Sequence, residues 1–318
     1  MPGLQTSNDV ARVSPASSVP GQALTAAHRK ALRELLADAV SFDEPLAPKT
    51  SMRVGGPAAA FATVKDVNTL VALLKFCTRE SITWTVLGLG SNVLVNDAGF
   101  SGLVIRLGGD FTRVTVTKTM LRAGGAAPIV ALCREAARAG LAGAEALVGI
   151  PGTVGGAVRM NAGTQVEIGD LVRRIEVIVA GEDVQTYTLP EFAYRSSTLD
   201  SRTVVCAAEL ELRQGDTPTV QAELLRHIER RNATQPLELP NSGSIFRNPP
   251  GDYAARLIES AGCKGLRMGG AQVSEKHANF IVNRGGATCA DVLALIDEVR
   301  ETVKRTHGVD LELEVHIL

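Results

Sequence analysis

What this chain lacks narrows it quickly. Aromatic residues make up 4% of it, too few for the stacked platforms that hold single-stranded nucleic acid. Lysine plus arginine number 33 against 34 aspartate plus glutamate, a formal net charge of −1. No global basic field therefore draws it to nucleic acid or to an anionic membrane. No apolar run approaches the ~20 residues that span a bilayer. The five cysteines (Cys77, Cys133, Cys206, Cys263, Cys289) are odd in number and form no CxxC pair. That pattern fits reduced thiols in the cytoplasm rather than a disulfide framework or a zinc site. The five histidines (His28, His227, His277, His307, His316) contain no HxxxH, so no metal is expected. Residues 1–21 lack the apolar core of a secretory signal and read, from their Ser, Pro and Val content, as a disordered tail.

What is present is a globular composition, 45% hydrophobic and 21% charged over 318 residues. This predicts a sizeable core and two domains, or one with a subdomain. Glycine is concentrated. Gly149-Ile-Pro-Gly-Thr-Val-Gly-Gly-Ala-Val-Arg-Met-Asn-Ala-Gly163 holds five glycines in fifteen residues. A second stretch, Val86-Leu-Gly-Leu-Gly-Ser-Asn-Val-Leu-Val-Asn-Asp97, lies upstream. Glycine lets a ligand lie against the chain, and successive N–H groups can form a concave anion site. Neither stretch carries a Walker lysine, and Gly88-Leu-Gly-Ser-Asn lacks the third glycine and following helix of a Rossmann turn. Together they point to one long anionic cofactor held mostly by backbone.

The intervening pattern is mixed α and β. A helix over 26–39 is expected, with Thr25 as N-cap and Ala27, Leu32, Leu35 and Leu36 to one side. Strands follow at 60–64, 83–87, 93–95 and 102–107, with a helix from Asp66 to Arg79 facing Leu70, Leu73, Leu74 and Cys77 inward. A hairpin spans 112–123, and Pro128 opens a helix at its first position. Ile175–Ala180 and Val184–Leu189 read as a hairpin, 203–212 as a strand and 220–232 as a helix. Asn241 to Pro250 reads as a compact polar loop, and 253–261 and 291–306 as helices. A short buried strand is expected near 273–283, and 311–318 as an alternating closing strand. The domain scheme is a tail (1–24), subdomain 1 (25–108), subdomain 2 (109–214) and a C-terminal domain (215–318), the last strand being free to return to subdomain 1.

Six segments, taken in order, resemble one family. Thr50-Ser-Met-Arg-Val-Gly-Gly56, Gly88-Leu-Gly-Ser-Asn-Val-Leu-Val-Asn-Asp97 and Gly149-Ile-Pro-Gly-Thr-Val-Gly-Gly-Ala157 look like the FAD-binding part of the UDP-N-acetylenolpyruvoylglucosamine reductases. Tyr194-Arg-Ser-Ser197, Gly243-Ser-Ile-Phe-Arg-Asn-Pro249 and Leu311-Glu-Leu-Glu-Val315 look like their catalytic segments. The resemblance implies an α+β protein: a vanillyl-alcohol-oxidase-type FAD fold of two α/β subdomains plus a C-terminal α/β substrate domain. It implies non-covalent FAD, NADPH as co-substrate, the enolpyruvyl ether of UDP-N-acetylglucosamine as substrate, and a cytoplasmic monomer.

By the same resemblance Arg195 and Glu314 stabilise the enolate that follows hydride transfer, and Ser244 delivers the proton. Alternation alone does not choose between Glu312 and Glu314, nor turn chemistry between Ser242 and Ser244; the motif selects Glu314 and Ser244. Tyr194 and Asn248 would contact the sugar nucleotide. Gly88, Leu89, Gly90, Ser91 and Asn92 would surround the pyrophosphate, and Arg53 would reach an anionic group. Gly149, Ile150, Pro151, Gly152, Thr153, Gly155, Gly156 and Ala157 would lie along the ring and ribityl chain. About fifty residues separate Arg195 from Ser244 without a substrate-covering tyrosine loop, as in the family's shorter subtype. No lysine precedes Ser244 in Gln235-Pro-Leu-Glu-Leu-Pro240, leaving Arg230, Arg231 or Arg247 as candidate phosphate contacts. A different FAD oxidase of the same fold, and a non-catalytic nucleotide-binding module, are the competing readings.

Overall fold

Small and β-branched residues let strands Pro57–Val64 and Phe100–Leu107 lie side by side in parallel, with Trp84–Val86 parallel on the far side of the latter. Buried on both faces, such strands read as near-continuous apolar runs. The computed structural model describes residues 18–182 and 186–318. The helix Val67–Arg79 links the first of these strands to the third. Asp66 starts it by accepting the Thr69 N–H at 2.9 Å. It buries Leu70, Leu73, Leu74, Phe76 and Cys77 against the sheet, each leucine contributing roughly 2 kcal/mol.

Two antiparallel edge strands complete this sheet. Ser18–Val19 pairs with Trp84–Thr85, so the stretch expected to be tail is ordered from residue 18; residues 1–17 lie outside the described residues. Val40–Pro45 pairs with Pro57–Val64 and was not anticipated. Its Ser, Asp, Glu and Pro suit an edge open to water but carry no strand signal. The helix Ala26–Leu36 is capped by Thr25 as expected. Its inner face is His28, Leu32 and Leu36, whereas Leu35 is 40% exposed. His28 turns inward with its ring Nδ1 accepting the Thr25 N–H while its backbone N–H donates to the Thr25 hydroxyl.

A second, wholly antiparallel sheet orders Thr186–Thr188, Val172–Val179, Thr203–Glu211, Met120–Gly124 and Val114–Thr117. Val184, expected at the start of its edge strand, lies outside the described residues. The helix Ile129–Arg138 covers the sheet, with Pro128 as its N-cap rather than its first residue. The helix Thr217–Thr234 starts earlier than expected, because Asp216 caps it by accepting the Thr219 N–H and Pro218 suits its first turn.

The last hundred residues build a four-stranded antiparallel sheet of Asn241–Ser244, Phe280–Asn283, Ala271–Val273 and Arg267–Met268. The segment expected as a polar loop from 241 is thus strand for its first four residues. Helices Ala254–Ser260 and Cys289–His307 cover it, burying Leu257, Ile258, Val292, Leu295, Ile296 and Val299. Asp97 ties this part to the first sheet by accepting the Cys289 and Ala290 N–H groups at 2.8 and 2.9 Å. The closing strand is shorter than expected. Only His316–Ile317 is strand, and it runs parallel to Val93–Leu94 beside the first glycine-rich stretch.

Candidate active site

Two glycine-rich turns, a hairpin tip and the C-terminal segment converge at one place. Gly90 sits at φ +65°, where an added Cβ would lie 2.7 Å from the Lys49 oxygen and the Thr50 Cα. The N–H groups of Gly88, Leu89, Gly90, Ser91 and Asn92 donate to no acceptor among the described residues. Consecutive donors left open in this way make an anion-binding nest. The second turn packs directly on the first. A Cβ on Gly88 would meet the Thr153 hydroxyl at 2.8 Å, one on Gly152 (φ +120°) would meet the Ser91 hydroxyl at 2.9 Å, and Ser91 donates to the Pro151 oxygen at 3.1 Å.

The second turn holds its donors differently. The N–H groups of Val154, Gly155 and Ala157 bind the carbonyls of Ala127, Gly125 and Thr153 at 2.8–2.9 Å. That of Gly156 reaches the Thr153 hydroxyl at 3.5 Å, the N-cap of the helix Val154–Met160. The Ile150 N–H bonds the Leu147 oxygen, and Ala157 is 4% exposed within the core. Gly152 and Gly156 keep surface open along this wall, whereas Ala157 faces away. Gly149 closes a short 3-10 turn. Arg53 is exposed at φ +58° on the neighbouring loop, and Leu89 is 49% exposed.

Arg195 lies in the two-residue turn of the hairpin Phe192–Ala193/Ser196–Ser197 at φ +55°. A non-glycine residue held there costs roughly 1 kcal/mol or more and often marks a functional position. Its guanidinium is gripped on three sides: Nε donates to Glu314 Oε1 at 3.1 Å, Nη1 to Glu167 Oε1 at 3.3 Å and Nη2 to the Gly163 oxygen at 2.7 Å. The side chains of Arg195 and Glu314 are 14% and 19% exposed. Of five guanidinium N–H groups, two remain without a partner among the described residues, one on each Nη.

Glu314 is held against both the first glycine turn and the Ser244 strand. Its N–H donates to the Ile245 oxygen at 2.8 Å, and its carbonyl accepts the Asn92 side-chain amide at 3.0 Å. Burial pushes its carboxyl above the ordinary range, against the pull of Arg195 and Arg247 toward ionisation. Two residues on, His316 approaches the Met160 sulfur at 2.9 Å. Burial, with Arg247 and Arg159 nearby, lowers its pKa and favours the neutral ring. Ser244 is half-buried at the end of its strand, next to Ile245, and its hydroxyl has no partner among the described residues.

The peripheral residues divide. Tyr194 is 46% exposed, with its ring centroid 4.9 Å from the Arg195 Cζ. Asn248 is exposed, but its side-chain oxygen accepts the Ala254 N–H at 3.0 Å and so anchors the helix Ala254–Ser260. Arg231 is engaged structurally with the Val148 oxygen and Gln235. Arg247 stays near Glu314, with Glu312 at 3.9 Å. Glu167 escaped the sequence reading, and Asn161 and Gly163 stood in the second glycine-rich stretch without a role of their own. Asn161 ends the helix Val154–Met160 in the left-handed conformation, a C-cap use of Asn that was the one available signal.

Comparison with known proteins bears on the chain as a whole. Residues 58–188 match the family model described as FAD binding domain, and residues 235–318 that of the UDP-N-acetylenolpyruvoylglucosamine reductase C-terminal domain. UDP-N-acetylenolpyruvoylglucosamine reductase 2 of Symbiobacterium thermophilum is 46% identical over 86% of this chain and 90% of its own. The Heliobacterium modesticaldum reductase is 46% identical over 86% and 89%. The crystal structure of the Thermus caldophilus reductase superposes with a TM-score of 0.75 at 37% identity, covering 87% of this chain and 97% of its own. The mixed α/β fold expected from the sequence, with an FAD-binding part and a C-terminal domain, is the fold found.

Proposed function

Since the chain belongs to the UDP-N-acetylenolpyruvoylglucosamine reductase family, as an FAD oxidoreductase, we propose that it reduces the enolpyruvyl ether of UDP-N-acetylglucosamine to UDP-N-acetylmuramate with NADPH, for peptidoglycan precursor synthesis. The observation that carries this reading is the Arg195–Glu314 pair at 3.1 Å, set beside Ser244 by the backbone bond from Glu314 to Ile245, the next residue. Guanidinium, carboxyl and hydroxyl come from three segments remote in sequence.

The open N–H groups of Gly88–Asn92 suit the diphosphate of FAD, and the wall at Gly152 and Gly156 suits its flat ring system. FAD supplies, when bound, a two-electron carrier that takes hydride from NADPH and gives it to C3 of the enolpyruvyl group. The protein's residues handle the charge that results. Electron density displaced from the double bond collects at C2 and its carboxylate, where a preorganised cation is most effective. The two uncommitted N–H groups of Arg195 match a carboxylate's geometry. Glu314, kept toward its neutral form by burial, can donate a hydrogen bond to the same group. Ser244 passes its proton to C2 and completes the addition. In this reading FAD lies between residues 25–108 and 109–214, the sugar nucleotide sits over 215–318 with Tyr194 and Asn248 at its edge, and the enzyme works as a cytoplasmic monomer.

The test is an anaerobic titration. The purified protein should be yellow, bleach with NADPH and regain colour with the enolpyruvyl sugar nucleotide. Arg195→Ala and Ser244→Ala should each slow turnover by about a hundredfold or more while retaining flavin. A colourless protein indifferent to added FAD, or oxygen consumption with a hydroxy acid and no response to NADPH, would defeat the reading.

A further inference from the structure

Arg195 contacts two carboxylates, and only one of them is assigned a role above. Glu167 stands on the opposite side of the guanidinium from Glu314, 3.3 Å from Nη1 and 30% exposed. It is itself fixed. Its second oxygen accepts the Asn161 side-chain amide at 2.6 Å, and its backbone N–H reaches Asp170 at 3.1 Å. Asn161 is 2% exposed and acts as a hub. The same amide donates to the Ala193 oxygen at 3.0 Å, two residues before Arg195, and its oxygen accepts the Gly169 N–H at 3.0 Å. Close approach here needs glycine, because a Cβ on Gly169 would lie 2.6 Å from the Phe192 ring and 2.7 Å from the Asn161 oxygen. The helix Val154–Met160, its Asn161 cap, Glu167 and the Arg195 turn therefore form one continuous hydrogen-bonded frame.

We infer that Glu167 is a positioning residue for the reduction: anchored by Asn161, it holds the Arg195 guanidinium away from full pairing with Glu314, so that one N–H on each Nη stays free for the substrate carboxylate. The inference rests on the functional reading above. A guanidinium and a carboxylate left alone close into a two-bond fork. With Glu167 and the Gly163 oxygen engaging both Nη atoms, only Nε reaches Glu314. The fork that includes Nε runs through Nη2, which the Gly163 oxygen holds; without Glu167 on Nη1 the guanidinium is free to turn, so that Nη2 can leave that oxygen and close the fork on Glu314, which occupies one of the donors that the substrate needs and stabilises Glu314 as an anion.

Glu167→Gln tests this directly, since glutamine can still accept from Asn161 but presents an amide to Nη1. Flavin reduction by NADPH and reoxidation by the enolpyruvyl sugar nucleotide are followed separately by anaerobic stopped flow on the holoenzyme. Reoxidation should slow by about tenfold to a hundredfold, with reduction within about twofold of wild type and flavin content unchanged. In an Arg195→Lys background, Glu167→Gln should add almost nothing, because the two residues act as a unit. Wild-type reoxidation, equal loss in both half-reactions, or additive losses in the double variant would each overturn the inference. Should Glu167→Gln prove insoluble, Glu167→Asp carries the same test: a selective loss in reoxidation supports the role and none refutes it. Reduced wild-type enzyme that the sugar nucleotide fails to reoxidise would bring down the functional reading, and the positioning role with it.

Discussion

The two glycine-rich turns look alike in sequence and behave differently in the fold. In Gly88–Asn92 five successive N–H groups remain open among the described residues. In the second turn the donors from Val154 to Ala157 are all engaged with the chain's own oxygens. The first is a loop of open donors. The second is a rigid wall, stitched to Gly125 and Ala127 and continuing through Asn161 to the Arg195 turn. Glycine thus serves two ends here: it leaves backbone donors open in one place and allows backbone to touch backbone in the other.

The largest effect expected from this contrast is at Gly90. Gly90→Ala must adopt φ +65° and accept contacts of 2.7 Å with Lys49 and Thr50, a strain of about 1–2 kcal/mol before any clash. FAD affinity should fall roughly tenfold or more in a fluorescence titration; unchanged affinity would mean that this loop is not the binding element. A smaller effect is expected from Thr153→Ala, which removes the cap on Gly156. Urea unfolding should show a loss of about 0.5–1 kcal/mol with full flavin stoichiometry. Loss of flavin in that variant would erase the distinction between loop and wall.

The smallest effect concerns Glu314 and pH. Burial raises its folded pKa above the unfolded value. Its stabilising contribution is therefore complete at acid pH, below the unfolded value, and is lost as pH rises through the folded value. Glu314→Gln, neutral throughout, should match wild type in thermal unfolding at acid pH and gain on it toward alkaline pH, although turnover falls. A variant that instead loses ground as pH rises would show that the attraction of Arg195 outweighs burial.

Local signals carried most of the fold. Asp66 and Thr25 announced their helices because a cap is an interaction over three residues, and the apolar spacing of Cys289–His307 marks its buried face in any context. Val40–Pro45 was illegible because an edge strand needs no apolar alternation, only a neighbour with free backbone groups. The closing strand was overestimated because alternation in 311–318 reflects contact first with Phe246, just past the Ser244 strand, and then with Val93–Leu94 beside the first glycine turn, not one continuous ladder. Arg195, Ser244 and Glu314 were singled out through motifs; composition and periodicity alone would have left them as ordinary surface and turn residues.

Residue order alone determined the elements, the two glycine concentrations and the short motifs, since each depends on neighbours a few positions apart. Tertiary structure decided which N–H groups stay open, how burial and two arginines set the ionisation of Glu314, and that Glu167 and Asn161 belong to the Arg195 site. Those properties arise from atoms separated by up to 222 positions along the chain, as in the bond from Asn92 to Glu314, and such proximity has no signature until the chain has folded.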